Sequence, residues 1–285
     1  MEEEGRVIHD QVVRASLDCD TLLGSLILDM YANRVGAMDD ALCFFCSVLL
    51  PFHAVDAYTW HHLIAGYAHH GMPHLALHTF QQMQHQGVLL NRFIAATVIS
   101  ACTSTVPRGV HQDLVAHGEH LHASLMGSSG HFQDIAVGNA IVTMYGRCNR
   151  LDRAQRMFDT MSERNTLSWT AMIAVHAQNG QAKRALHLFQ QMHKEGLMPN
   201  HATFASILCA CAALALGKYL HSRISIMGLE DNVTVANSLI GMYGKCGKLM
   251  EAQHVLNGLA LRNVVSWNAM LSSFVEQGQP VKSLQ

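Results

Sequence analysis

His117-Gly118-Glu119 and His193-Lys194-Glu195 have the spacing with which a zinc-dependent nucleobase deaminase opens its site, a histidine for the metal and a glutamate to carry protons. That chemistry also needs a later Pro-Cys-x-x-Cys to complete the zinc ligands, and the sequence has none. His117, His120 and His122 are the tightest group among 20 histidines. They fall at the start of an expected second helix where His9 and His221 recur, so a repeated structural position is expected there rather than a metal site. Cys43-Phe44-Phe45-Cys46 has redox spacing but lacks the strand–helix–strand setting of a redox motif, which points to two buried thiols. All eight cysteines are scattered along expected helices and read as small buried hydrophobes in a reducing compartment. No catalytic residue, metal or cofactor is expected.

The elements that would position any side chain are short helices in pairs. Within Thr166–Asn200, Trp169, Met172, Ile173 and His176 fall on one helical stripe, and Asn179-Gly180 ends that helix. Ala185, Leu188, Phe189 and Met192 make a second stripe, which Gly196 stops and Pro199 prevents from resuming. Ala57–Asn91 superimposes without a gap: Trp60 on Trp169, Ile64 on Ile173, Gly71 on Gly180, Phe80 on Phe189, Met83 on Met192 and Asn91 on Asn200. Val264 starts another copy, with Trp267 and Gly278 in the same places. The three tryptophans are thus one position seen three times, expected to pack one hairpin on the next. Helices of about three turns do not hold alone in water, so stacked copies must support one another.

Two further unit types alternate with this one. Asn139 to Cys148 and Asn237 to Cys246 carry the same Met-Tyr-Gly-x-Cys ending, in units 135–165 and 233–263, each of 31 residues. A third type begins Phe93-Ile94-Ala95-Ala96 or Thr203-Phe204-Ala205-Ser206 and later carries Gly118–His122 or Gly217–His221. The units then run 21–56, 57–91, 92–134, 135–165, 166–200, 201–232 and 233–263, with partial units at 1–20 and 264–285, all in one solenoid. An insertion holding Val106-Pro107-Arg108-Gly109 must loop out, and the connection at Ala212–Leu216 must be tight; such changes in loop length cost little.

Composition fits a stack of interfaces: 49% of residues are hydrophobic and 14% charged. The most apolar run, Ala41–Phe52, falls well short of the roughly 20 residues that span a bilayer, so a soluble protein without membrane contact is expected. Met1-Glu2-Glu3-Glu4 is acidic where a presequence is not, so no targeting segment is expected in this chain. A formal net charge of −2 excludes a strongly basic nucleic-acid binder, although a locally positive groove with base stacking can still hold a single strand. Units cut at both ends leave apolar helix faces, from which aggregation or dimerisation is expected.

Ser266-Trp267-Asn268-Ala269-Met270, Met242-Tyr243-Gly244-Lys245-Cys246-Gly247, Ala185-Leu186 with Leu188-Phe189 and Met192, and Gly196-Leu197-Met198-Pro199-Asn200 resemble the motifs of pentatricopeptide repeat proteins of the plant organelle class. The resemblance covers essentially the whole chain. The tetratricopeptide repeat, which binds proteins, would require a constant period and smaller residues at Ile64, Ile173, Met83 and Met192. What the resemblance implies is an all-α, right-handed α-solenoid of antiparallel two-helix repeats, with first helices lining a groove for single-stranded RNA, one nucleotide per repeat. It implies editing or processing of an organellar transcript, in mitochondrion or chloroplast, with editing or processing proteins as further partners and no DNA.

In the family the fifth and last residues of a repeat read the base edge. Carried over, Ser25 with Asp56 favours guanine and Thr170 with Asn200 adenine. Asn139 with Asn165, and Asn237 with Asn263, favour a pyrimidine with some preference for cytosine, and Asn268 also suggests a pyrimidine. His61 with Asn91 matches no familiar pair, and Ala96 with Asp134 and Ala205 with Asn232 belong to the unit type that reads poorly. The second residue wedges between bases, a role for Leu22, Tyr58, Phe93, Leu167 and Val265; Ala136, Ala202 and Thr234 at the same place are small or polar. The alternative readings are a protein-interaction scaffold and a truncated product without a function of its own.

Overall fold

An Asp or Asn stands ahead of each expected first helix after the opening one, and the computed structural model shows it acting as the helix N-cap. The structure describes residues 21–35, 38–50, 55–103, 112–127, 134–211 and 214–278, with positions 7, 11, 12 and 14. Among these every regular element is helical. The inserted loop at 106–109, the turn at 212–213 and the second helix expected after Gly278 lie outside the described residues, as does most of the helix expected at 6–14.

First and second helices alternate along the chain. The first helices are α1 (Thr21–Asp29, running on through π-helical turns at Met30–Val35), α3 (Ala57–His69), α5 (Arg92–Ala101), α7 (Ile135–Arg147), α9 (Thr166–Gln178), α11 (His201–Ala210), α13 (Val233–Lys245) and α15 (Val264–Glu276). The second helices are α2 (Met38–Phe44, continuing as π-helix Phe45–Leu49), α4 (Pro73–His85), α6 (Gln112–Gly127), α8 (Leu151–Thr160), α10 (Ala182–Lys194), α12 (Leu214–Ile226) and α14 (Leu249–Gly258).

Two compact units, Met1–Ser162 and Glu163–Gln285, divide these helices. In the first, α1 packs on α3, α3 on α5 and α5 on α7, while α4 and α8 fold back on α3 and α7. In the second, α9, α11, α13 and α15 pack in the same succession, with α10 and α14 behind α9 and α13. Each unit is therefore an α-solenoid of antiparallel hairpins, one layer of first helices and one of second helices. Direct packing of first helix on first helix brings equivalent residues into a row.

The repeated stripes form the core. Trp60, Leu63 and Ile64 of α3 and Trp169, Met172 and Ile173 of α9 are buried, as are Ala76, Phe80 and Met83 of α4 and Ala185, Phe189 and Met192 of α10. Trp60 meets Phe45 edge to face at 4.8 Å, and Phe189 meets Phe204 at 5.8 Å, in the geometry aromatic quadrupoles favour. Trp60 and Trp169 are 1% and 2% exposed, but Trp267 is 51% exposed. Gly180 has φ of 73°, so the α9 terminus needs no Cβ there. At the end of α7 the same job falls to Asn149, with φ of 57°, where the sister unit has Gly247. Asparagine tolerates this conformation through its short polar side chain.

One expectation changes at this level. Cys43 and Cys46 are exposed rather than buried, because Ala41, Phe44, Phe45 and Leu49 take the inward positions of that hairpin; Cys209 of α11 is exposed too, and Cys148 and Cys246 are half-buried. The recurring histidine of the second helices, seen at His122 and His221, holds the repeated structural position expected of it, as a hydrogen-bonding residue. Its Nδ1 lies 2.8 Å from the hydroxyl of Tyr145 or Tyr243 on the next first helix. Small residues nearby allow close approach, since a Cβ at Gly118 or Gly217 would strike Met144 or Met242.

Burial, the dominant cause, lowers the pKa of His61, His122, His176 and His221 from the ordinary 6.5. A histidine held neutral when folded contributes stability that is full above its unfolded pKa and lost as pH falls below it. The urea midpoint is expected to fall between about pH 7.5 and pH 5, most steeply below about 6.5. Trp169→Ala should cost about 3–5 kcal/mol in the same measurement.

Candidate nucleic-acid interface

The rim of each unit is built by the caps. Asp56 Oδ1 accepts from the backbone N–H of Thr59 at 2.8 Å and from its hydroxyl at 2.7 Å, while the Thr59 oxygen accepts from the Asp56 N–H at 3.4 Å. The same reciprocal box joins Asn165 to Ser168, Asn200 to Thr203 and Asn263 to Ser266. Asn91 accepts from the Ile94 N–H, at 2.9 Å, and Ile94 has no hydroxyl to complete the box. Asp134 and Asn232 use the amides of the second and third helical residues instead. In every case the cap occupies one oxygen. A capping asparagine then has its amino group left to present, a donor, and Asp56 has its second oxygen, an acceptor; at Asp134 that second oxygen pairs with Arg92, 3.4 Å away. Asp56, Asn165 and Asn263 are exposed, and Asn91 and Asn200 half-buried.

Beside each cap the second residue of the helix points to solvent. Leu22, Tyr58, Phe93, Leu167 and Val265 are between 47% and 68% exposed, although each is apolar and sits one position from well-packed core. Core packing does not account for this recurrence. Arg92 lies over the Phe93 ring, 4.8 Å from its centroid, adding a cation to one of these platforms.

The fifth residues were expected along an open inner wall, and they sit deeper than that. Only Asn268 is exposed; His61 and Asn237 are half-buried, and Ser25, Asn139 and Thr170 are buried. Where a contact defines the cause, it is the neighbouring first helix. His61 Nε2 lies 3.1 Å from the Thr97 hydroxyl of α5, and the Thr170 hydroxyl lies 2.6 Å from that of Thr203 on α11. Asn139 is 7% exposed, and neither its amide oxygen nor its amide nitrogen finds a partner among the described residues. The amide oxygen of Asn237 is likewise unmatched there. Ser25 donates its hydroxyl to the Leu22 carbonyl at 2.8 Å, so only its lone pairs remain to face a ligand.

The hydroxyls of Thr59, Ser168, Thr203 and Ser266, each essentially inaccessible to solvent, are polar residues of the site beyond the fifth, last and second positions. Their signal was present: an Asp or Asn followed three residues later by Ser or Thr at the start of an apolar stripe, a variant of the capping box. Two cations are also placed by the stack rather than by a groove. Arg147 donates to the Thr103 carbonyl at 3.0 Å and Lys245 to the Cys209 carbonyl at 3.2 Å, each fastening one first-helix end to the preceding one.

Comparison with known proteins agrees with this architecture. Family models match over residues 164–213, as the PPR repeat family, and over 58–88, 139–166, 234–264 and 265–285, as the PPR repeat. A mitochondrial pentatricopeptide repeat-containing protein of Arabidopsis thaliana is 33% identical over 278 residues, covering 96% of this chain and 42% of that protein. A chloroplastic one from the same plant is 31% identical over 283 residues, covering 98% of this chain and 33% of that protein. The chain thus spans less than half the length of these relatives. The crystal structure of the pentatricopeptide repeat protein PPR10 from maize aligns with a TM-score of 0.52 at 18% identity, over 96% of this chain and 44% of that one.

An orphaned buried amide costs stability that a near-isosteric apolar side chain does not. Asn139→Leu is expected to raise unfolding stability by about 1 kcal/mol or more in urea titration.

Proposed function

Because the chain belongs to the pentatricopeptide repeat family, whose models match more than half of it, we propose that it binds single-stranded RNA selectively, about one nucleotide per repeat. The observation that carries this reading is the recurring pair at the start of each first helix, an exposed apolar second residue beside a cap with one polar atom to spare. In each unit, these side chains, Leu22, Tyr58 and Phe93 in the first and Leu167 and Val265 in the second, would wedge between bases, where base faces supply the apolar surface they lack. The polar readers then meet the exposed Watson–Crick edges.

Hydrogen-bond polarity supports two of the base assignments. Ser25 and the free oxygen of Asp56 both accept, which suits two adjacent donors, and among the bases guanine presents N1–H beside N2–H. Asn200 donates through Nδ2 and is paired with Thr170, which suits the mixed edge of adenine. Asn237 with Asn263 is assigned a pyrimidine, and Asn268 likewise; His61 with Asn91 is left without a base. The unmatched amides of Asn139 and Asn237 support the same reading, since a base edge would supply what the protein does not. Within a complete protein the stack would place an organellar transcript for editing or processing, in keeping with relatives named as mitochondrial and chloroplastic.

A second reading, a scaffold for protein partners, draws on the net charge of −2 and on exposed side chains such as Leu89 and Leu261 outside the row. Selection from random single-stranded RNA separates the two. Enrichment of a defined sequence, with affinity falling as salt rises, is expected for RNA reading; absence of binding supports the scaffold. Asn200→Asp should move one selected nucleotide from adenine toward guanine and leave the others unchanged, and an unaltered profile would refute the assigned role.

A further inference from the structure

The geometry points to Thr203 as a buried residue that sets the hydrogen-bonding polarity of the two readers of the preceding repeat, Thr170 and Asn200. Resting on the RNA-reading assignment of those two residues, it adds a third that never touches the base.

Thr203 is the third residue of α11 and is 0% exposed. Its hydroxyl makes three contacts: it lies 2.6 Å from the Thr170 hydroxyl, it donates to Asn200 Oδ1 at 3.0 Å, and it accepts from the Asn200 N–H at 3.2 Å. The backbone N–H of Thr203 also donates to Asn200 Oδ1, at 2.9 Å. A threonine hydroxyl has one proton and two lone pairs, and an amide oxygen can only accept. If the Thr203 proton went to Thr170, its oxygen and Asn200 Oδ1 would face each other as two acceptors at 3.0 Å. The assignment that satisfies every contact sends the Thr203 proton to Asn200 and makes Thr170 the donor to Thr203.

Two consequences follow for a ligand. With its proton committed, Thr170 offers only lone pairs. With both lone pairs of Oδ1 taken by Thr203, Asn200 offers only its amino group. One repeat thus presents a fixed acceptor and a fixed donor, neither of which can reverse by rotating a hydroxyl or flipping an amide. In the pose that suits adenine, N6–H meets Thr170 and N1 meets Asn200 Nδ2. Guanine in that pose sets O6 against the Thr170 lone pairs and N1–H against an amino group, two like-with-like encounters. Discrimination would therefore be built from a proton arrangement settled before RNA arrives, and its keystone is on the next repeat.

Thr203→Val keeps the shape and removes the hydroxyl. The test is selection from a randomised single-stranded RNA library by the full chain, the Val variant and Thr203→Ser, with far-ultraviolet dichroism confirming equal helix content. The expected result is a loss of about five- to tenfold in adenine-over-guanine preference at one nucleotide for the Val variant, with the other nucleotides unchanged and preference regained by the Ser variant. Unchanged selectivity in Thr203→Val overturns the relay, and so does a uniform loss of affinity at every nucleotide, which marks a merely structural role. Wild-type protein that selects other nucleotides but shows no preference at this one overturns the assignment of Thr170 and Asn200, and the relay with it. A wild type that selects no RNA sequence sinks the functional reading as a whole. Independently of RNA, the Asn200 side-chain amide resonance should shift in Thr203→Val and return in Thr203→Ser; a resonance that does not move removes the relay.

Discussion

From α3 onward, a side-chain oxygen is bonded to the opening turn of every first helix, and the stack is built on that contact. Helices of ten to thirteen residues are at the margin of stability in water, and four backbone N–H groups at each start have no partner within the helix. An Asp or Asn at that place satisfies one or two of them and fixes where the helix begins. Once the start is fixed, so is the angular position of every later residue, and the stripes holding Trp60 and Trp169 face the same layer in their hairpins. The cap therefore sets register as well as stability. Because capping uses only one end of its side chain, a residue such as Asn200 can serve the helix start and still carry a second polar atom.

The proposed RNA reading does not need a basic groove: within each unit, exposed apolar side chains repeat at the starts of first helices with polar atoms beside them. The depth of the fifth residues is the counterpart. Thr170 is 6% exposed because α11 lies against it, and that contact also orders its hydroxyl. The helix that buries Thr170 is thus the one that supplies its hydrogen-bond partner, Thr203.

Differences among sister positions show where local pattern stops deciding. Cys43 and Cys46 share an apolar neighbourhood in sequence yet face outward, because the π-helical continuation of that hairpin brings Phe44 and Phe45 inward together. Trp267 repeats the type and spacing of Trp60 and Trp169 but not their burial, since a residue is buried by what stands opposite it and not by its own stripe. The clustered histidines were legible as a repeat, but their partner was not: Tyr145 is 23 residues from His122, and only the stack brings the two together.

Helical class, the alternation of first and second helices, their starts at capping Asp or Asn and their stops at residues such as Gly180 were all legible in the residue pattern. All of these are set within a few residues, by side-chain spacing, the need to satisfy helix-end amides, and the one conformation in which a missing Cβ matters. Which polar side chains lie buried, and which partners they bond, came from the packing of helix on helix. Whether Asn139 is open or enclosed, and whether Thr170 gives or receives a proton, depends on the surface another helix sets against it. Burial and proton direction are properties of a pair of surfaces, and a linear pattern specifies only one of them at a time.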